Sequence, residues 1–349
     1  MSKASRWLIP VLCMLLVVAA GAGWLHRQWQ DRPPLSALGW PEADASGQPP
    51  GQPVARVTVT WLGITTLLFD DGRTQILVDG TFSRPSVADI LLQRSVWSDA
   101  ATINRALAEF RLNRLAAIVP VHSHFDHAMD AGLVANRTSA MVLGSESTAN
   151  IARGAGVPVN QYQILADGES RQFGAFTITL FASRHAPIGP GEEGWFEGVI
   201  EEPLRQPARV MNWRTGVAWS VFVAHPEGTT LVQGSAGFVE DALPADSADV
   251  VMLGIAGLSD LGRDYLQRYW EETVLRTGAS RVFPVHYDDF TRPFGEVALF
   301  PAIVDDVVTT ASWIEVLATE GEKPVTVRRL PFGEPVVLYA EGSGGVAPP

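Results

Sequence analysis

The sequence predicts an α/β fold in which two β-sheets are covered by helices on their outer faces. Three observations carry this expectation. Short apolar or alternating runs recur through residues 55–340 and are separated by stretches with helical spacing. Several of those runs end abruptly on a histidine or a small residue. The chain of 349 residues, 46% hydrophobic and 18% charged, can fill the core of one large domain or two small ones.

The N-terminus comes first. Lys3 and Arg6 precede an apolar run from Trp7 to Leu25. At about 1.5 Å per residue, a helix of that length just spans a hydrocarbon core of about 30 Å. Residues 1–25 therefore read as a signal peptide, with Ala20-Gly21-Ala22 as a cleavage site, or as an uncleaved transmembrane anchor. Basic residues ahead of the run keep that end in the cytoplasm. Both readings export the rest, as a periplasmic or other extracytoplasmic domain that is secreted or membrane-anchored. Residues 26–54, with "DRPP" and "DASGQPPGQP", read as a Pro/Gly-rich linker. The tail at 341–349 reads as disordered.

Within the domain, "RVTVTW" (56–61) alternates as a strand does. Residues 65–80 form two strands around the turn Asp71-Gly72. Helices are expected near 86–93 and 99–110, at 128–136 and at 145–153, with an extended segment at 140–143. "RLAAIVPV", "FTITLFAS", "GTTLVQ" and "SRVFPV" are apolar strands, and "PVTVRRL" and "EPVVLYA" close the domain after a helix over 304–319. From Ala186 to Arg214 the chain is rich in Gly, Pro and Glu, with Trp195, Phe196 and Trp213 embedded. That stretch reads as a flap beside a functional site or as a surface insertion.

Net charge is −12 and nothing forms a basic stripe, so nucleic acid is excluded as a partner. The single cysteine, Cys13, lies in the N-terminal run. Any metal site in the domain must be built from histidine and carboxylates. "VHSHFDHAMD" (121–130) supplies them, with three of the seven histidines in ten positions. His122 and His124 leave a turn toward one point, Asp126 and His127 toward another. His185 and His286 also follow apolar strands directly. His26 and His225 fall elsewhere, in the linker region and in a turn.

"HSHFDH" resembles the signature of the metallo-β-lactamase superfamily, whose fold is an αβ/βα four-layer sandwich of two mixed sheets flanked by helices. "ILVDG" with Asp79, "SRHAP" with His185 and "PVHYDDF" with His286 are similar to three more motifs of that family, and the resemblance covers roughly residues 56–340. The branch it most resembles holds the L-ascorbate-6-phosphate lactonases and the N-acylphosphatidylethanolamine-hydrolysing phospholipases D. The resemblance implies one metal on His122, His124 and His185 and a second on Asp126, His127 and His286, with Asp79 in support. It implies one or two zinc ions ahead of iron or manganese, a hydroxide nucleophile between them, and Asp126 as the catalytic group that orients it. The substrate would be a small or lipid-like ester, lactone or phosphodiester.

The sequence departs from the family at Ser235, which stands where a bridging Asp is expected. That leaves three outcomes: two metals on six ligands, one tight metal, or replacement by Asp288 or Asp289. The alternative reading of those two is support for the ligands or a helix cap. Ile64 stands where many relatives carry histidine. Ser145 reads as a helix cap rather than a nucleophile. Arg184 meets an anionic substrate or a structural carboxylate, and Phe82 lines the pocket or the core. Two other functions share the pattern: a mono-iron oxygenase of the same superfamily, and a non-catalytic binding protein with a weakened second metal site.

Overall fold

The computed structural model describes residues 3–49, 56–189, 194, 196–321 and 323–339. Two seven-stranded sheets dominate the described residues. In the first, the strands lie in the order Pro335–Val337, Thr58–Trp61, Leu67–Asp70, Gln75–Val78, Leu115–Val119, Met141–Gly144 and Tyr162–Ile164. Pairing is antiparallel up to Gln75–Val78 and parallel beyond it. In the second, the order is Thr326–Val327, Arg281–Val285, Val250–Gly254, Gly228–Gln233, Ala218–His225, Phe176–Ser183 and Glu169–Phe173. Here the first four strands are parallel and the rest antiparallel.

Strand alternation explains the layering. Leu67 and Phe69, Ile76 and Val78, and Ala117 and Val119 face one core, which they share with Ile178, Leu180, Val221, Leu231 and Val285 of the second sheet. Their neighbours Leu68, Leu77 and Ile118 face a second core against Ile103, Ala106, Ala131 and Val134, which lie on helices. A strand buried on both faces reads as a continuous apolar run, as "LLF" and "ILV" do. On the far side, Leu266, Tyr269, Trp270 and Ile314 bring helices Arg263–Trp270 and Val307–Glu320 onto the second sheet. The result is helix, sheet, sheet, helix.

Local chemistry sets the element ends. Asp71 accepts from the amides of Arg73 and Thr74 at 2.7 and 2.6 Å and closes the hairpin around Gly72. Ser145 caps Glu146–Gly154 by accepting from Thr148 N. Asp99 and Asp306 cap Ala100–Glu109 and Val307–Glu320 in the same way.

Two expectations are corrected. Residues 31–46 are not an open linker: Leu35–Leu38 forms a 3-10 turn, and Leu38, Trp40 and Ala43 are buried in the main core. Their apolar side chains outweigh the Pro/Gly composition around them. Most of the second half of the 186–214 stretch is not a loose flap either. Ala208–Arg209 pairs with Ser95–Val96, and Ile200, Val210 and Trp213 pack against Val96, Phe125 and Met129. Residues 190–193 and 195, with Trp195, lie outside the described residues. Phe82 belongs to the second core and meets Phe294 edge-on at 5.3 Å.

A backbone helix runs from Lys3 to Gln30. Much of the predicted anchor, residues 7–25, carries side chains outside the described residues, as does the 341–349 tail. Among the described residues no helix is long and apolar enough to cross a membrane.

Candidate metal centre

The site forms where strands of both sheets end at their carboxyl ends, the usual place for chemistry in open α/β sheets. Asp79 follows Gln75–Val78 directly, His122 follows Leu115–Val119 by three residues, His185 follows Phe176–Ser183 by two, and His286 follows Arg281–Val285 directly. Backbone bonds draw the two sheets together there: Trp219 N to Val121 O at 2.7 Å, Ser123 N to Thr215 O at 2.9 Å and His286 N to Ile64 O at 2.9 Å.

Two groups of donors result. His122, His124 and His185 form one; Asp126, His127 and His286 form the other, each with ligand atoms within 4.8 Å of one another. In the second group, His286 Nε2 lies 3.2 Å from His127 Nε2, and Asp126 Oδ2 lies 3.4 Å from each of them. In the first, His122 Nε2 lies 3.0 Å from His124 Nδ1. Donors at about 2.0–2.1 Å from one tetrahedral ion stand about 3.3 Å apart, so both groups have the spacing of a single ion's ligand shell.

Three of the outer ring nitrogens are tied, whereas those of His122 and His286 are buried without a hydrogen-bond partner among the described residues. His127 Nδ1 lies 2.7 Å from Asp79 Oδ2, His124 Nε2 2.9 Å from Thr215 Oγ1, and His185 Nδ1 2.8 Å from Ala186 O. Each bond selects the tautomer whose other nitrogen faces the group and fixes the ring plane. Three residues here hold left-handed backbone without being glycine: Ile64 at φ 53°, Asp79 at φ 58° and His286 at φ 58°. Such residues cost about 1–3 kcal/mol each and persist where the surroundings over-determine them. Asp79 is held by Val119 O at its amide and by Val121 N at Oδ1. His286 is held by Ile64, whose amide is in turn held by Asp288 Oδ1 at 2.8 Å.

The electrostatics separate the two groups. Burial, reinforced by neighbouring imidazoles, holds His122 and His124 well below the usual histidine range. Burial takes His185 down to about 4. Burial also opposes charge on His127, but the carboxylates of Asp126 and Asp79 outweigh it and raise it to about 10. Asp126 is buried too, yet His127 and His286 hold it well below the usual carboxylate range. The first group is thus three neutral imidazoles; the second is a charged pocket whose proton a cation would displace.

Asp288 and Asp289 are outside both groups. Asp289 Oδ1 accepts from the amide and hydroxyl of Thr291, and its Oδ2 lies 2.7 Å from Arg32 Nη1. Ser235 Oγ accepts from Ala186 N at 2.9 Å, so it steadies the residue that follows His185. Gly237 closes the same turn: a Cβ there would stand 2.1 Å from Arg184 O. His26 lies on the Lys3–Gln30 helix and His225 beside Asp71, both apart from the site. Thr215, Arg32 and Asp130 carry no motif of their own. Asp130 accepts from the amides of Phe82 and Ser83 at 2.8 and 2.7 Å and so shapes the loop after Asp79.

Aromatic side chains wall one side of the centre. Phe196 stands 6.0 Å from the His124 ring and Phe290 5.9 Å from the His286 ring, and Phe290 also meets Phe125 at 6.2 Å and Phe300 at 5.3 Å. On the His185 side lies an open cavity of 860 Å³.

Comparison with known proteins agrees with this architecture. Residues 59–286 match the family described as the metallo-beta-lactamase superfamily. No curated protein sequence matches. A metallo-hydrolase from the archaeon Ignicoccus hospitalis is 16% identical, with 82% of this chain and 99% of that chain covered and a TM-score of 0.46. YhfI, a metallo-beta-lactamase fold protein from Bacillus subtilis, is 14% identical over 80% of this chain and 98% of its own, with a TM-score of 0.45. CmlA, a diiron β-hydroxylase from Streptomyces venezuelae, is 15% identical over 81% of this chain and 54% of its own, with a TM-score of 0.49. With well over half of its length matched by that one family, the chain belongs to the metallo-beta-lactamase superfamily.

Proposed function

We propose that this protein is a zinc-dependent hydrolase that cleaves an ester, lactone or phosphodiester bond outside the cytoplasm. The observation that carries the reading is the triangle of Asp126, His127 and His286, with edges of 3.2, 3.4 and 3.4 Å, beside a second group of three neutral imidazoles. Nitrogen and carboxylate donors without thiolate suit zinc, which suits tetrahedral spacing. When bound, the metal supplies Lewis acidity and an activated water at neutral pH.

The chain's own residues do the rest. His122, His124 and His185 would hold one ion; Asp126, His127 and His286 would hold the other. Asp126, ionised and facing both His127 and His286, is placed to accept a proton from the attacking water and orient it. Asp79 holds His127 in one tautomer, and Thr215 does the same for His124. Phe125, Phe196, Phe290 and Phe300 exclude water from one side and offer an apolar surface to the substrate. The segment Trp7–Leu25 would deliver the domain across a membrane and, if uncleaved, keep it there.

The test is metal analysis of the full chain purified in detergent, with ester, lactone and phosphodiester assays. Bound zinc and turnover in the wild type, both lost in His122→Ala and His127→Ala, are expected. Full activity in both variants ends the reading, and stoichiometric iron with oxygen consumption replaces it with the oxygenase.

A further inference from the structure

The cavity beside His185 has a chemistry that the metal groups do not use. Arg184, the residue before His185, lines it, and so does Arg268 of helix Arg263–Trp270. Tyr265 and Phe238, whose rings lie 5.4 Å apart, line it as well. Tyr265 is fixed by donating its hydroxyl to Ala236 O at 2.9 Å. Burial pushes its phenol up to about 12, while the fields of Arg268 and Arg184 pull it back.

Arg184 is exposed, yet its backbone is not loose. Gly237 presses so closely on Arg184 O that any side chain there would clash, and Ser235 Oγ holds Ala186 N two residues on. Among the described residues Arg184 has no hydrogen-bond or ion-pair partner, whereas Arg268 has Glu240 at 3.7 Å. Glu197 and Glu240 also line the cavity, but neither is within ion-pair distance of Arg184. A guanidinium with no bonded carboxylate, anchored one residue from a metal donor, is suited to an incoming oxyanion.

We propose that Arg184 and Arg268 form an anion subsite that selects substrates carrying a carboxylate or phosphate on an apolar body, with that body lying against Tyr265 and Phe238. The subsite rests on the hydrolase reading for its role in turnover but not for its ability to bind. The anion would be held on the His185 side while the scissile bond lies over the metal groups. Arg184 supplies bidentate recognition, and Arg268 exchanges its exposed contact with Glu240 for the ligand.

Titration calorimetry of the full chain in detergent tests this with phenylphosphonate and benzoate, neither of which carries a scissile ester. At least one should bind the wild type, and the stronger of the two identifies phosphate or carboxylate as the preferred anion. Arg184→Gln should weaken binding about tenfold or more, the size of a lost charge-assisted hydrogen bond, with a smaller loss in Arg268→Gln. Arg171→Gln, on the exposed strand Glu169–Phe173, should change nothing, and treatment with a chelator should leave binding dependent on Arg184. No binding of either probe, equal binding by Arg184→Gln and wild type, or loss of all binding on chelation overturns the subsite. A kinetic arm separates the two readings. Arg184→Gln should raise KM for mono-4-nitrophenyl succinate and leave 4-nitrophenyl acetate unchanged. A protein inert to ester, lactone and phosphodiester substrates alike that still binds the probe through Arg184 retains the subsite and loses the hydrolase. Turnover of both esters unaffected by Arg184→Gln does the reverse.

Discussion

Asp79 and His127 are joined by a contact of 2.7 Å between Oδ2 and Nδ1, and the same carboxylate accepts from Val121 N through Oδ1 at 2.8 Å. One side chain therefore fixes both the His127 ring and the backbone that leads into the His122 loop.

Its replacement should separate those roles. Asp79→Asn keeps an acceptor for Val121 N and removes the charge behind His127. Metal affinity at the Asp126 group is expected to fall about 10- to 100-fold, with the fold retained. Asp79→Ala should in addition lose about 1–3 kcal/mol of stability, because Val121 N–H is then buried without a partner. Competition against a chelating dye and denaturant unfolding measure the two effects.

Acid should act unequally on the two donor groups. His127 is raised to about 10 in the metal-free protein, so a cation must displace its proton at any lower pH. Affinity there should rise about tenfold per pH unit toward 10 and fall as the solution is acidified. His185 is lowered to about 4, and burial keeps His122 and His124 low as well, so that group needs no deprotonation in the neutral range. Dialysis at pH 5.5 against pH 8.5, followed by metal analysis, should remove the ion at Asp126, His127 and His286 first. Equal loss from both groups would contradict the electrostatic picture.

Ser235 should matter to His185 through the backbone. Ser235→Ala removes the acceptor of Ala186 N–H, with an expected loss of about 1–3 kcal/mol and weaker metal binding at the His122 group. Calorimetric unfolding with and without zinc reads both. A variant with unaltered stability and affinity would show that the turn is held by other contacts.

Asp288 should behave as a support of His286 rather than as a ligand. In Asp288→Ala the buried amide of Ile64 loses its partner, and Ile64 O is what holds His286 N. A stability loss of about 1–3 kcal/mol is expected, with weakened rather than abolished metal binding. Complete loss of one ion with unchanged stability would instead make Asp288 a ligand.

The legible part of this molecule is what is local in sequence. The Asp71-Gly72 hairpin, the cap at Ser145 and the run from His122 to His127 each lie within a few residues, so spacing alone exposes them. The partners of the donors are not local. Thr215 is 91 residues from His124, and Asp79 is 48 from His127. Neither Thr215 nor Arg32 belongs to a residue type or spacing that would single it out. Composition also misleads at residues 31–46, where a few buried apolar side chains decide the outcome against many prolines and glycines.

That last segment has a practical consequence. Arg32 Nη1 reaches Leu299 O and also Asp289 Oδ2, three residues after His286, each at 2.7 Å, and Leu38 and Trp40 plug the main core. A soluble version trimmed at residue 55, the boundary that composition suggests, would strand the Asp289 carboxylate and open a hole under the second sheet. Trimming at residue 31 keeps the plug and the counter-charge, so a preparation meant for metal or activity measurements should begin there.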